Sequence, residues 1–319
     1  MNMLSRVASH LYWMSRYLER AENMARILDV TQSLAMLDRS ADSGGAMTPI
    51  VITEAQAEFA ATQLPATYVN VIAFLAWDKK HPSSIRNCFE STRENARAVR
   101  GSITSEMWEN VNDTWLQLQD KVQSIDPMMT GNEFFEWVKE RSHLFRGVTF
   151  ATARRDQPYH FTRLGTFIER ADNTARILNV KYAQEAPDTF DEKEEDNETD
   201  YYRLSAVLRS VSALEAYRDT YRDVIDARRV AEIMIFDAKL PRSLRYCLDE
   251  TSLVLLATNA LSALTLCRFH KYSNQIEKAS KRVVKTLAAK TLPVQRNATG
   301  KNNNARKSGT PKVTTEAAT

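Results

Sequence analysis

Residues 10–30 read HLYWMSRYLERAENMARILDV, and residues 160–180 read HFTRLGTFIERADNTARILNV. The two stretches lie 150 positions apart, and ten of their 21 positions are identical. Leu11, Met14, Leu18, Ala21, Ala25 and Leu28 recur at alternating steps of three and four. That spacing puts side chains on one face of a helix. Phe161, Leu164, Ile168, Ala171, Ala175 and Leu178 repeat the stripe. Alanine at two central positions lets another helix approach closely. Both copies keep Glu-Arg-Ala-acid-Asn, at residues 19–23 and 169–173, so the chain reads as a tandem duplication with a polar cluster in each copy.

A second signature supports this reading. Asp78-x3-Pro82-x-Ser84-Ile85-Arg86-x-Cys88 recurs as Asp237-x3-Pro241-x-Ser243-Leu244-Arg245-x-Cys247, at an offset of 159. Copy two therefore carries about nine extra residues, which the acidic run Asp188–Asp200, expected as a solvated loop, supplies. Helices are expected from Ser5 to Leu37, from Thr53 to Ala61, over Val71 to Trp77, from Pro82 to Arg100, after a cap at Ser102 or Thr104, from Asn132 to Phe150, from Tyr159, and from Tyr202 to Arg222.

Composition agrees with an all-α class. Only six of the eight glycines precede residue 270, and helix-forming residues dominate. A hydrophobic content of 43% allows a proper core. The net charge of +3 is unevenly spread: from Lys271 onward eleven Lys/Arg face two Glu, which leaves the body acidic. The expected architecture is a helical bundle over residues 1–270, a single domain of two repeats at about 3–125 and 153–268. A helix at about 132–150 joins them, and residues 271–319 form a basic, largely disordered tail. Three cysteines without a CxxC pattern point to reduced thiols and a cytoplasmic location. Arg6, Arg16 and Arg20 interrupt any signal-peptide core. The uncharged stretch Thr251–Cys267 is short for a membrane span and reads as a buried helix.

The candidate functional cluster is Glu19, Arg20, Asn23 and Arg26 with Glu169, Arg170, Asn173 and Arg176. Adjacent helical residues project about 100° apart, so Glu19 and Arg20 do not pair with each other, and Arg20 is expected to reach a neighbouring helix. Two readings are open. In one, Glu22–Arg26 and Asp172–Arg176 are ordinary i,i+4 pairs and Glu19–Arg170 is an interhelical pair that fixes register. In the other, the two clusters converge in a shared pocket where close carboxylates titrate apart and act as acid or base. Secondary candidates are Asp78 and Asp237, expected to cap the following helices, Arg86 and Arg245, which pair with them or line a groove, and His143. Glu140-x-x-His143 has half the spacing of a di-metal bundle, but its partner motif is missing, so no metal and no cofactor are expected. No phosphate loop or catalytic triad pattern occurs. The basic tail is a candidate for an acidic partner or, less favourably, nucleic acid.

Several stretches resemble one known family. MLSRVASHLYWMSRYLERAENMARILDV from Met3, HPSSIRNCFESTRENARAVRGSITSEMWENVND from His81, FFEWVKERSHLFRG from Phe134, RLGTFIERADNTARILNVKY from Arg163 and LRSVSALEAYRDTY from Leu208 are similar to the bacterial alpha-E family. The resemblance covers most of residues 3–250, and no match is recognised beyond Glu250. It implies an all-helical fold. It also implies partners, a circularly permuted ATP-grasp protein and a transglutaminase-like protein, and hence a pathway that makes, modifies or removes an amide-linked peptide. On this basis the chain is expected to be an accessory or substrate-handling module, or alternatively an enzyme using its twin Glu-Arg clusters.

Overall fold

The computed structural model describes residues 3–37, 45–183 and 197–257. Within these, no strand is present, and the class is all-α. Helix α1 spans Ser5–Leu37, and its predicted stripe is fully buried. It is followed by α2 (Thr48–Ile52), α3 (Gln56–Ala60), α4 (Tyr68–Trp77), α5 (Ile85–Ala98), α6 (Ser105–Ser124) and α7 (Asn132–Thr152). The second series is α8 (Gln157–Ala183), α9 (Asn197–Ser210), α10 (Leu214–Tyr221), α11 (Ala227–Phe236) and α12 (Leu244–Ala257).

The backbone repeats along with the sequence. Glu54 and Ser212 both adopt left-handed conformations, with φ of 56° and 54°, and so do Gln63 and Arg222, with φ of 58° and 49°. The N–H of Ala55 bonds to the Ile50 carbonyl at 3.0 Å, and that of Ala213 to the Leu208 carbonyl at 2.8 Å. These bonds wrap the chain back over the preceding helix and end it. They also correct two expectations. The helix expected over Thr53–Ala61 is instead only α3, Gln56–Ala60, because the chain breaks at Glu54 after α2. A single helix over Tyr202–Arg222 is instead α9 and α10, broken at Ser212. Neither breaking residue is the glycine or asparagine that usually marks such a turn.

The turns before α5 and α12 differ from expectation in a related way. Asp78 Oδ1 accepts from the Lys80 N–H at 2.7 Å, and Asp237 Oδ1 accepts from those of Lys239 at 2.6 Å and Leu240 at 3.0 Å. These carboxylates shape the turn and do not cap the helix. The caps are Ser84, which accepts from Asn87 N–H at 3.3 Å, and Ser243, which accepts from Tyr246 N–H at 3.0 Å. A cap must sit directly before the first turn to reach its free N–H groups, and the aspartates lie six residues too early. Helix α5 accordingly starts at Ile85 and not at Pro82.

Helix α1 is central and packs against α4, α5, α7 and α8. One core, including Leu11, Leu75, Ile85 and Phe135, lies on its first-copy side, and a second, including Leu178, Leu208, Tyr217 and Met234, lies under α8. Helices α1 and α8 run side by side in the same direction. Met3 N–H bonds to Gln157 Oε1 at 3.1 Å at their start. Further on, a Cβ on Gly165 would lie 2.2 Å from Ser15 Oγ and 2.3 Å from the Tyr12 carbonyl oxygen. Gly165 is thus the only kind of residue that admits this approach without displacing backbone.

Some expectations fall wholly or partly outside the described residues. The basic tail does, as do residues 188–196 of the acidic run, while Asn197–Asp200 of that run belong to α9 and not to a loop. Thr251–Ala257 form the end of α12, and the rest of the apolar stretch lies outside. Among the described residues no helix is long and apolar enough to cross a membrane.

Candidate functional site

The two Glu-Arg motifs meet at the α1–α8 interface and pair reciprocally. Arg20 grips Glu169 with both arms, Nε to Oε1 at 2.7 Å and Nη2 to Oε2 at 3.0 Å. Arg170 Nε donates to Glu19 Oε1 at 2.8 Å. Each motif glutamate is therefore held by the motif arginine of the other copy. The cause lies in helix geometry: neighbouring Glu and Arg diverge by about 100° and bridge to the adjacent helix.

Each glutamate also receives further cations, and here the copies differ. Glu169 Oε2 accepts from Arg16 Nε at 2.5 Å. Glu19 lies 2.9 Å from Arg242 Nη2 and 2.9 Å from Arg146 Nη1. The copy-two equivalent of Arg16 is Thr166, and the copy-one equivalent of Arg242 is Ser83. Ser83 Oγ lies 3.4 Å from Arg20 Nη1. The second arginine thus comes from the long helix on one side and from the turn before α12 on the other.

The network extends along both helices. Glu22 accepts from Arg26 Nε at 3.0 Å, Arg146 Nη1 at 2.5 Å and Arg242 Nη2 at 2.5 Å. Asp172 accepts from Arg176 Nε at 3.0 Å, and Arg16 Nη2 lies 3.9 Å away. Asn23 Oδ1 accepts from Arg242 Nη1 at 2.6 Å, while its buried Nδ2 has no protein partner. Asn173 is buried on α8, and Arg176 also reaches Glu54 at 2.9 Å. The arginine heads lie against aromatic rings, Arg16 at 5.4 Å from Trp13, Arg20 at 5.7 Å from Tyr17 and Arg170 at 5.6 Å from Phe167.

Charge balance decides what these groups do. Burial pushes the Glu19 carboxyl up, but Arg170 and Arg242 outweigh it and hold the group below its ordinary range. Glu22 is held well below that range, burial being outweighed by Arg242, His143, Arg146 and Arg26. For Glu169, burial is outweighed by Arg16 and Arg20, and the value falls to about 2. Asp172 goes the other way: burial and the neighbouring Glu169 raise it against Arg176 and Arg16. The equivalent thiols Cys88 and Cys247 are each pushed up to about 12, chiefly by burial, which makes them poor nucleophiles.

A family model described as "a predicted alpha-helical domain with a conserved ER motif", Alpha-E, matches residues 3–298. The chain belongs to the Alpha-E family. The match continues past Glu250, beyond the last motif recognised in the sequence. Uncharacterized proteins of Mycobacterium bovis and Mycobacterium tuberculosis are similar to this Alpha-E chain, at 25% identity over 270 residues. The match covers 77% of this chain but only 29% of each relative, so the chain spans under a third of their length. No solved structure matches it.

The Alpha-E motif thus occurs twice, and the structure brings its two glutamates and two arginines into one buried network. Arg26 joins it through Glu22, and Arg176 through Asp172. His143 sits at its edge, half-exposed, with Nε2 3.2 Å from Arg26 Nη2 and 3.4 Å from Glu22 Oε1. The remaining secondary candidates lie elsewhere. Arg86 contacts Asn87 and Glu90, and exposed Arg245 pairs with Asp249 at 3.1 Å. Among the described residues no group of three or more His, Cys, Asp or Glu is placed to hold a metal ion. The network members outside the candidate cluster are Glu22 and Asp172, read from sequence only as i,i+4 partners, and Arg16, Arg146 and Arg242.

Proposed function

We propose that this Alpha-E chain is a helical accessory module that handles substrate in a pathway of peptide or amide ligation and modification. Its partners in this reading are a circularly permuted ATP-grasp ligase and a transglutaminase-like protein. The observation that carries the non-catalytic assignment is the full engagement of Glu19 and Glu169 by arginines of the opposite copy. Carboxylates held ionised in this way have no proton to give near neutral pH, and with their basicity lowered and their oxygens accepting from guanidinium groups they are also poor bases. The motif serves to join the copies, and bond-making falls to other proteins. The partners follow from the family resemblance, and the greater length of the mycobacterial relatives accommodates further domains beside the matched part.

The test is ADP release by a circularly permuted ATP-grasp protein of the same genome, supplied with amine and carboxylate substrates, with and without the full chain. Stimulation is the expected result, and identical turnover in both cases overturns the proposal. A second reading, an enzyme acting on an amide, is favoured by one feature, the raised carboxyl of Asp172. If the chain alone cleaves or forms amide bonds and Asp172→Asn abolishes this without lowering the melting temperature, the second reading replaces the first.

A further inference from the structure

A cleft of about 350 Å³ lies away from the buried network, at the end of the bundle where α1, α6 and α8 begin. Thr104, the residue before α6, contacts Thr152 at the end of α7, with hydroxyls 2.9 Å apart, and the chain then turns into α8. The cleft sits in this corner. Its lining includes Ile103, Met107 and Tyr159, of which Met107 and Tyr159 are buried. Arg154 and Asp156 also line it, with Arg154 Nε 2.9 Å from Asp156 Oδ2. Arg154 is almost fully exposed and free to exchange that partner for another.

A mixed lining, with Ile103, Met107 and Pro158 as its apolar part beside one cation and one anion, suits a small zwitterion. A carboxylate takes the planar guanidinium, an ammonium takes Asp156, and a short apolar side chain enters against the apolar wall. The volume falls at the lower end of the ligand-site range of roughly 300–1,000 Å³. We infer that this cleft binds an amino acid or dipeptide with a free carboxylate, a free ammonium and an apolar side chain. The inference deepens the proposed function by naming the class of substrate handled, and it rests on that reading for its biological role but not for the binding itself.

Gly101 provides the test. It lines the cleft, and a Cβ built on it meets nothing within 4 Å. Gly101→Phe therefore sets a bulky ring at the cleft with no clash at its Cβ. The full chain would be titrated calorimetrically with L-Ala-L-Leu, its C-terminal amide and its N-acetyl form. Saturable binding of the dipeptide is expected, weakened about tenfold or more by either blocking group. Gly101→Phe should abolish it while the melting temperature holds, and exposed Arg154→Ala should remove the difference between acid and amide. No saturable heat at up to about 10 mM dipeptide, or unchanged binding by Gly101→Phe, overturns the inference. Binding without ligase stimulation sinks the proposed partnership and leaves the cleft standing; stimulation without binding does the reverse.

Discussion

Ser15 and Gly165 occupy the same position in the two copies and sit directly against each other. The two long helices therefore cross at equivalent residues, and the reciprocal Glu-Arg pairs lie one turn further along. A Cβ at residue 165 would fall 2.3 Å from the Tyr12 carbonyl oxygen, a backbone atom that moves only with its helix. Gly165→Ala should therefore cost about 1–3 kcal/mol of stability, read as a lower urea midpoint. Gly147→Ala on α7 is the control, since a Cβ there meets nothing within 4 Å. That change should stabilise by about 1 kcal/mol, the usual penalty of glycine inside a helix.

The cross-copy pairs are buried, so removing one partner leaves charge without compensation. Glu169→Gln strands Arg16 and Arg20 and should cost about 3–5 kcal/mol. In a double-mutant cycle with Arg20→Met, the two changes should couple by about 0.5–3 kcal/mol. Strict additivity in urea unfolding would show that the pair contributes nothing of its own.

Acid should unfold the protein through the same groups. Glu19, Glu22 and Glu169 have folded values below those of the unfolded chain. Their contribution is complete above the unfolded carboxylate value, roughly 4.3, and is lost as pH falls, for Glu169 down to about 2. Asp172 opposes this, because its raised value makes the folded state bind its proton first. Its contribution is present below the unfolded value and lost as pH rises through the folded one. Urea midpoints should fall from pH 5 to pH 3, and Asp172→Asn should steepen that fall.

His81 is buried and stacks on Phe74 at a centroid distance of 4.7 Å, yet neither ring nitrogen has a protein partner. The equivalent residue in copy two is Leu240, also buried. Burial is the main cause that depresses the imidazole's value, so the folded state prefers it neutral. Stability from this preference is present above the unfolded value of about 6.5 and is lost as pH falls below it. His81→Leu should stabilise by about 1 kcal/mol at neutral pH and by more at pH 5. Equal stability gains at the two pH values would contradict this account.

The helices that carry periodic apolar stripes were legible from sequence. Helix α1 covers the predicted span Ser5–Leu37, and α7 covers the span predicted from Asn132, with Phe134, Phe135, Val138 and Phe145 buried. The breaks at Glu54 and Ser212 were not, because a left-handed residue without glycine or asparagine leaves no local mark. At the site, the directions of Glu19 and Arg20 followed from helix geometry, and so did the Arg20 link to a neighbouring helix. Arg146 and Arg242 did not, because they join α1 across 127 and 223 residues of chain separation, respectively, to Glu19. Such partners are set by the packing of helices and by nothing in their own neighbourhoods.

A helix that offers Glu followed by Arg to a parallel copy of itself is self-complementary: each copy donates and accepts the same bond. The contact between α1 and α8 is in this sense an isologous dimer interface written into one polypeptide. Two separate chains joined in this way must carry the same residue at every paired position. A fused chain is released from that rule and can change one half without the other. Arg16 opposite Thr166, and Arg242 opposite Ser83, are the record of that freedom.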